Sequence, residues 1–167
     1  MFENKPVYVA VSGGFDFLHD GHVSYILDAK KLGTELYIFL NTDEWLIDKK
    51  GFFFIPYENR KRMLEKLFNP VKIIPVYEVC DALFDYKPNI FAKGGDRTIE
   101  NLPLSEINIC EMLNIKIITG VGGKEKPYSS RLGANNVISA FNNKKIPLGY
   151  FFNEKQSIES INGRMWW

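Results

Sequence analysis

Histidine and cysteine are both scarce, at 2 of each in 167 residues. Cys80 and Cys110 stand apart with no CxxC spacing, which argues against a secreted disulfide scaffold and suits a reducing compartment. A surplus of charge is missing as well. Lys plus Arg number 21 against 20 for Asp plus Glu, and no basic run is long enough to follow a phosphate backbone, so nucleic acid is not an expected partner. No apolar run approaches the length of a membrane span, and the opening MFENKPVYVAVSGG carries an early acidic residue and too short an apolar stretch for a signal sequence. The expectation is a cytoplasmic protein with no membrane association. Repeats and low-complexity segments are also absent. The 46% apolar content is ample for one buried core.

What is present is an alternation of strand-like and helix-like segments. Val7 to Val11 is a wholly apolar, β-branched run closed by Ser12-Gly13-Gly14, which reads as a buried parallel strand. From Gly21, the residues Val23, Ile26, Leu27 and Leu32 recur at helical spacing, with Gly33 as the expected stop. Leu36 to Leu40 reads as a second strand, Asn41-Thr42-Asp43 as a polar turn, and Pro56 through Leu67 as a helix with proline at its start. Further strands are expected at Val71 to Val76, Asn89 to Lys93 and Lys116 to Thr119, with helices at Cys80 to Tyr86 and Ser105 to Leu113. This pattern predicts an α/β protein, a Rossmann-like doubly wound parallel sheet in strand order 3-2-1-4-5. Residues 1–132 are expected to form that domain, and residues 133–167 an extension packed on it or on a partner subunit.

In such sheets ligands bind beyond the carboxyl ends of the strands, where the strand order reverses. SGGFDFLHDGH follows the first strand, NTD the second, KGGDR the fourth and GVGG the fifth, so four special turns share one edge. That edge would bring His19, His22 and Asp96 to a common crevice. His19 and His22 admit three readings. A zinc site needs three or four ligands, and no third histidine exists. Two satisfied structural histidines are an ordinary outcome. The third reading is an anion grip, because Gly21 permits close approach and His22 lies in the first turn of a helix, where unpaired N–H groups favour negative charge. Arg60 lies on the apolar face of its helix with Met63, Leu64 and Leu67, so its guanidinium must find an anion: a bound phosphate, or a carboxylate such as Glu58 or Asp43.

The stretches GGFDFLHDGHVSYILDAKKLG, NTDEWLIDKKG, PYENRKRML, FAKGGDR and GVGG…YSS, in that order over roughly residues 5 to 132, resemble the cytidylyltransferase-like nucleotidyltransferases. The first matches that family's G-x-F-D-x-x-H-x-G-H pattern. The first and fourth are most similar to heptose 1-phosphate adenylyltransferase domains, and the second and third to glycerol-3-phosphate cytidylyltransferase. The resemblance implies transfer of AMP or CMP from ATP or CTP, carried with Mg²⁺, to a phosphorylated sugar or polyol, releasing pyrophosphate. It also implies a homodimer.

Residue by residue, the resemblance puts His19 and His22 on the triphosphate and gives backbone contacts to Gly14 and Phe15. Lys49 or Lys50 would draw in the acceptor phosphate, beside Asp43, and Arg60 would bind phosphate. Lys93, Gly94, Gly95, Asp96 and Gly120 would hold the nucleotide, and Ser129 and Ser130 would clamp its β- and γ-phosphates. Asp16 belongs to the motif but reads as a local turn cap. Before the Ser129 turn, Lys124 and Lys126 stand where the cytidylyltransferase form has an arginine, with Arg131 after it. A catalytically inactive nucleotide-binding regulatory module is therefore the alternative. The run Phe52-Phe53-Phe54 reads as core or interface, or else as a lid over the acceptor.

Overall fold

The computed structural model describes residues 5–95 and 97–123, together with 135–136 and 138–139. The chain divides into two units, residues 1–127 and 128–167, and the fold that follows is that of the first. Asp96, Lys124, Lys126, Ser129, Ser130, Arg131 and most of the expected C-terminal extension lie outside the described residues.

Five strands, β1 (Tyr8–Gly13), β2 (Glu35–Asn41), β3 (Lys72–Val76), β4 (Ile90–Gly94) and β5 (Lys116–Val121), form one sheet in the order β3-β2-β1-β4-β5. Every pairing is parallel. The doubly wound expectation is met. Helices α1 (Asp20–Lys30), α2 (Asp43–Lys50), α3 (Tyr57–Phe68), α4 (Val79–Tyr86) and α5 (Leu104–Met112) complete the described unit, with a 3₁₀ turn at Ile99–Asn101.

Alternation along the strands sorts their side chains onto two faces. Val9 and Val11 of β1, with Leu36, Ile38 and Leu40 of β2, pack with Ile26 and Ala29 of α1 and Leu64 and Phe68 of α3. Ala10, Phe39 and Phe91 point the other way, into a cluster with Ala82 and Leu83 of α4 and Cys110 of α5. A strand buried on both sides has no polar position to spare, which is why VYVAV is apolar throughout. Among the described residues, no helix is long and apolar enough to cross a membrane.

Three local expectations change. α2 occupies residues 43–50, where no helix was expected and of which only Asp43 belongs to the stretch read as a turn, and its signals are at its ends. Thr42 caps it by accepting from the Trp45 amide at 3.3 Å, Asp43 and Glu44 lie in its first turn, Lys49 and Lys50 in its last, and Gly51 closes it at φ 87°. Only Leu46 is buried on it, so no apolar stripe announced it. On α3 the packed face is Arg60, Leu64 and Phe68, whereas Leu67 is 56% exposed. Gly33 is not a helix stop, because α1 ends three residues earlier. The Val7 carbonyl accepts from the Thr34 and Glu35 amides, and a Cβ on Gly33 would lie 2.5 Å from that carbonyl oxygen.

The obstacle at Gly33 is backbone, so Gly33→Ala is expected to lower stability by about 1–3 kcal/mol, read as a shift of the urea midpoint at unchanged slope. Burial pushes the Cys110 thiol up to about 11, so at pH 8 a thiol reagent should label the half-buried Cys80 well before Cys110.

Candidate active site

The edge formed by Gly13, Asn41 and Gly94, the last residues of β1, β2 and β4, carries the polar groups expected of a site. His19 is the N-cap residue of α1, and its carbonyl accepts from the His22 and Val23 amides at 2.9 and 3.1 Å. The two imidazoles stack with centroids 3.7 Å apart and planes 23° apart. Gly21 makes this possible, since a Cβ there would lie 3.2 Å from the His19 ring. Phe15 packs edge-on to His22 at 5.2 Å and is buried, so its ring braces that imidazole. Tyr25 braces the same helix by donating its hydroxyl to the Ala92 carbonyl at 2.6 Å. Burial raises the Tyr25 phenol well above its ordinary value, which leaves it a neutral strut rather than a proton carrier.

Arg60 does not present itself to solvent. Its side chain is fully buried and forms a 2.6 Å ion pair with Asp43. Its Nε donates to the Ile55 carbonyl at 2.8 Å, and Nη1 to the carbonyls of Gly14 and Asn41 at 2.6 and 2.8 Å. Of the two sequence readings for Arg60, the carboxylate pair is the one formed, and Arg60 ties these segments together. The same contacts engage the Gly14 carbonyl and the Asp43 carboxylate. Asp43 also accepts from the Tyr57 amide at 3.0 Å, so it serves α3 as well as Arg60.

Asp16 was the residue that sequence reasoning undervalued. It makes contacts far beyond its own turn: its buried carboxylate accepts from the amides of Phe54 and Ile55 at 3.0 and 2.9 Å, and Lys50 Nζ lies 3.4 Å away. Partners 34 to 39 residues distant leave no local sequence signal. Lys50 is thereby drawn toward the histidine motif, whereas Lys49 in the same turn is exposed and forms no ion pair among the described residues. Lys93 turns away. Its ammonium pairs with Glu106 of α5 at 2.9 Å and lies 3.3 Å from Ser12 Oγ, on the sheet face opposite α1. Gly94 ends β4 and Gly95 follows it, while Gly120, at φ 75°, lies in β5. Asn41 is buried, and its Nδ2 has no hydrogen-bond partner among the described residues. A buried donor left so costs about 1–3 kcal/mol unless something accepts from it. No group of three or more His, Cys, Asp or Glu that could hold a metal is found among the described residues.

Against known proteins, the cytidylyltransferase-like family matches residues 10–130. The chain belongs to that family. FAD synthase from Methanosarcina mazei is 31% identical over 124 residues, covering 73% of this chain and 82% of that protein. Glycerol-3-phosphate cytidylyltransferase from Bacillus subtilis is 32% identical over 91 residues, covering 53% and 70%. Bifunctional protein HldE from Marinomonas sp. is 29% identical over 132 residues, covering 72% of this chain but 26% of its own length, so the chain spans about a quarter of that relative. Among solved structures, the lipopolysaccharide core biosynthesis protein from Thermoplasma volcanium superposes with a TM-score of 0.57 at 24% identity, over 68% of this chain and 95% of that one. Pantoate-beta-alanine ligase from Francisella tularensis gives 0.58 at 15%, over 98% and 78%, and these two support the fold alone. The family resemblance read from the motifs is borne out.

Because Arg60 is a buried tie, Arg60→Met should lower the stability of this cytidylyltransferase-like protein by on the order of 3 kcal/mol with no nucleotide present, seen as a fall in Tm. An unchanged Tm together with lost nucleotide affinity would return Arg60 to a phosphate-binding role.

Proposed function

We propose that the chain is a nucleotidyltransferase that transfers AMP or CMP from ATP or CTP to the phosphate of a small phosphorylated acceptor. The observation that carries the reading is the stacked His19–His22 pair at the start of α1, beside the end of the central strand. In the reaction an oxygen of the acceptor phosphate attacks the α-phosphorus. A new phosphoanhydride bond forms as the bond to the β-phosphate oxygen breaks, and its electron pair leaves with pyrophosphate. The acceptor brings its own anionic nucleophile, so the chain's task is placement and relief of charge.

His19 and His22 supply imidazole N–H donors on a helix start whose dipole favours an anion. Donors already fixed by Phe15 and the Gly21 turn need no reorganisation as charge builds at the α-phosphoryl group. Lys50, beside Asp16, is our choice over Lys49 for drawing the acceptor phosphate toward the nucleotide. Gly14, Phe15, Gly94, Gly95, Asp96 and Gly120 lie in the segments assigned to the nucleotide, and Ser129 and Ser130 remain the proposed β,γ-phosphate clamp. With no cluster of three or more His, Cys, Asp or Glu among the described residues, a Mg²⁺ would be held mainly by the triphosphate and its waters, where it would neutralise phosphate charge. Heptose and glycerol phosphates represent the sugar and polyol acceptors of the first reading.

The test is pyrophosphate release with Mg²⁺, ATP or CTP, and a panel of phosphorylated acceptors. His19→Ala is expected to lower kcat by on the order of a hundredfold while nucleotide affinity changes much less, as befits a donor used in the transition state. An unaltered rate removes His19 from the mechanism. Nucleotide that raises Tm without turnover on any acceptor would favour the regulatory module, which the lysines before Ser129 suggest.

A further inference from the structure

The last four residues of β2 are all buried, yet the strand closes on a carboxamide. Asn41 is 3% exposed, and its Nδ2 is buried with no hydrogen-bond partner among the described residues. Its position allows little relief. The Asn41 carbonyl accepts from Arg60 Nη1 at 2.8 Å, the residue pairs with Val76 of β3, and the next amide, that of Thr42, donates to the Val76 carbonyl at 3.0 Å. With the backbone held from both flanks, a shift of the chain cannot carry the amide to a partner. An apolar side chain here would escape the cost of an unmet donor, so stability alone does not account for the carboxamide. What the empty fold leaves open, a bound ligand can close.

The neighbours of Asn41 indicate which ligand. Arg60 Nη1 also binds the Gly14 carbonyl, at 2.6 Å, so Asn41 lies beside the turn that leads to His19. The sheet order sorts the rest. Gly94 and Gly120, in segments assigned to the nucleotide, belong to β4 and β5 on one side of β1, whereas Asn41 ends β2 on the other side. Thr42, next in the chain, caps α2, whose last turn carries Lys50. The phenyl rings tied to Lys50 through Asp16 cannot supply a donor. Phe17, Phe52 and Phe54 are 48%, 39% and 41% exposed, so the run after Gly51 is not core, but from Gly51 through Pro56 no side chain bears an N–H or O–H. We propose that Asn41 is a binding residue for the acceptor, its Nδ2 donating to an oxygen of that molecule while Lys50 draws in the phosphate. This rests on the nucleotidyl-transfer reading and adds to it a residue that orients the acceptor.

The test compares the wild type with Asn41→Leu, which keeps the branched shape without the donor, and Asn41→Ala, which removes the donor without adding bulk. Tm is read first without ligand, then nucleotide affinity, then kcat and KM for glycerol 3-phosphate, glucose 1-phosphate and flavin mononucleotide with Mg²⁺ and ATP or CTP. Removing an unmet donor costs the fold nothing, so Asn41→Leu is expected at or above the wild-type Tm. Both variants should raise the acceptor KM roughly tenfold, with much smaller changes in kcat and nucleotide affinity. An acceptor KM that ignores both substitutions overturns the contact and leaves nucleotidyl transfer standing. Nucleotide affinity that falls as far as acceptor binding overturns it too, by moving Asn41 to the nucleotide. So does a ligand-free Tm lowered in both variants, because the donor would then be met within the fold. Where the wild type turns over none of the three phosphates, their binding is read by calorimetry. Binding that Asn41→Leu weakens keeps the contact and sinks the transfer reading, while no binding, or binding indifferent to the substitution, sinks the contact.

Discussion

A buried guanidinium left without partners costs several kcal/mol, and that constraint organises the carboxyl edge of this sheet. Arg60 makes four hydrogen bonds with its five N–H groups, to the carbonyls of Gly14, Asn41 and Ile55 and the carboxylate of Asp43. Those acceptors belong to the turn after β1, the end of β2, the loop before α3 and the first turn of α2. The planar fork of arginine suits the task, because acceptors in its plane fix position and direction together, which a lysine ammonium would not do. One side chain thus sets the spacing of segments with little regular structure of their own.

Asp16 plays the complementary part with the opposite charge. Its carboxylate takes up amides from the loop that Arg60 holds by a carbonyl, so Ile55 is gripped at its N–H by Asp16 and at its C=O by Arg60. Loops carry backbone groups that strands would pair, and here buried charges pair them instead. The result is a set of loops tied together by electrostatics, next to the segment that carries the stacked histidines and holding Lys50 and the phenyl rings by the same carboxylate. Preassembly matters for phosphoryl chemistry, where donors that must first reorient contribute less to the transition state.

The strands were legible because burial on both faces forces an unbroken apolar run, as at Val9 to Val11, and the order 3-2-1-4-5 was expected as a common order of doubly wound sheets once strands and helices alternate. His19 and His22 were legible because a motif on a strand-to-helix turn has one place to go. α2 was not, since a helix with Leu46 as its buried residue has no periodic stripe, although Thr42, Asp43, Lys49-Lys50 and Gly51 mark its ends. Asp16 was read as a local cap because short-range bonding is the usual fate of such a residue, and its partners at Phe54 and Ile55 are remote. Arg60 could be placed on a packed face but not assigned its anion, as both a phosphate and Asp43 satisfy the same donors.

By itself, then, the sequence determined the fold class and pointed to the sheet order and to the edge where ligands are proposed to bind, because alternation, length and turn chemistry are written along the chain. Only the tertiary structure decided which charges close on each other: Arg60 on Asp43, Asp16 on the 54–55 amides, and Lys93 on Glu106 away from the histidines. It likewise decided that Phe17 and Phe54 share one exposed surface. Charge pairing and ring contact depend on distances between remote residues, and those distances exist only once the core has packed.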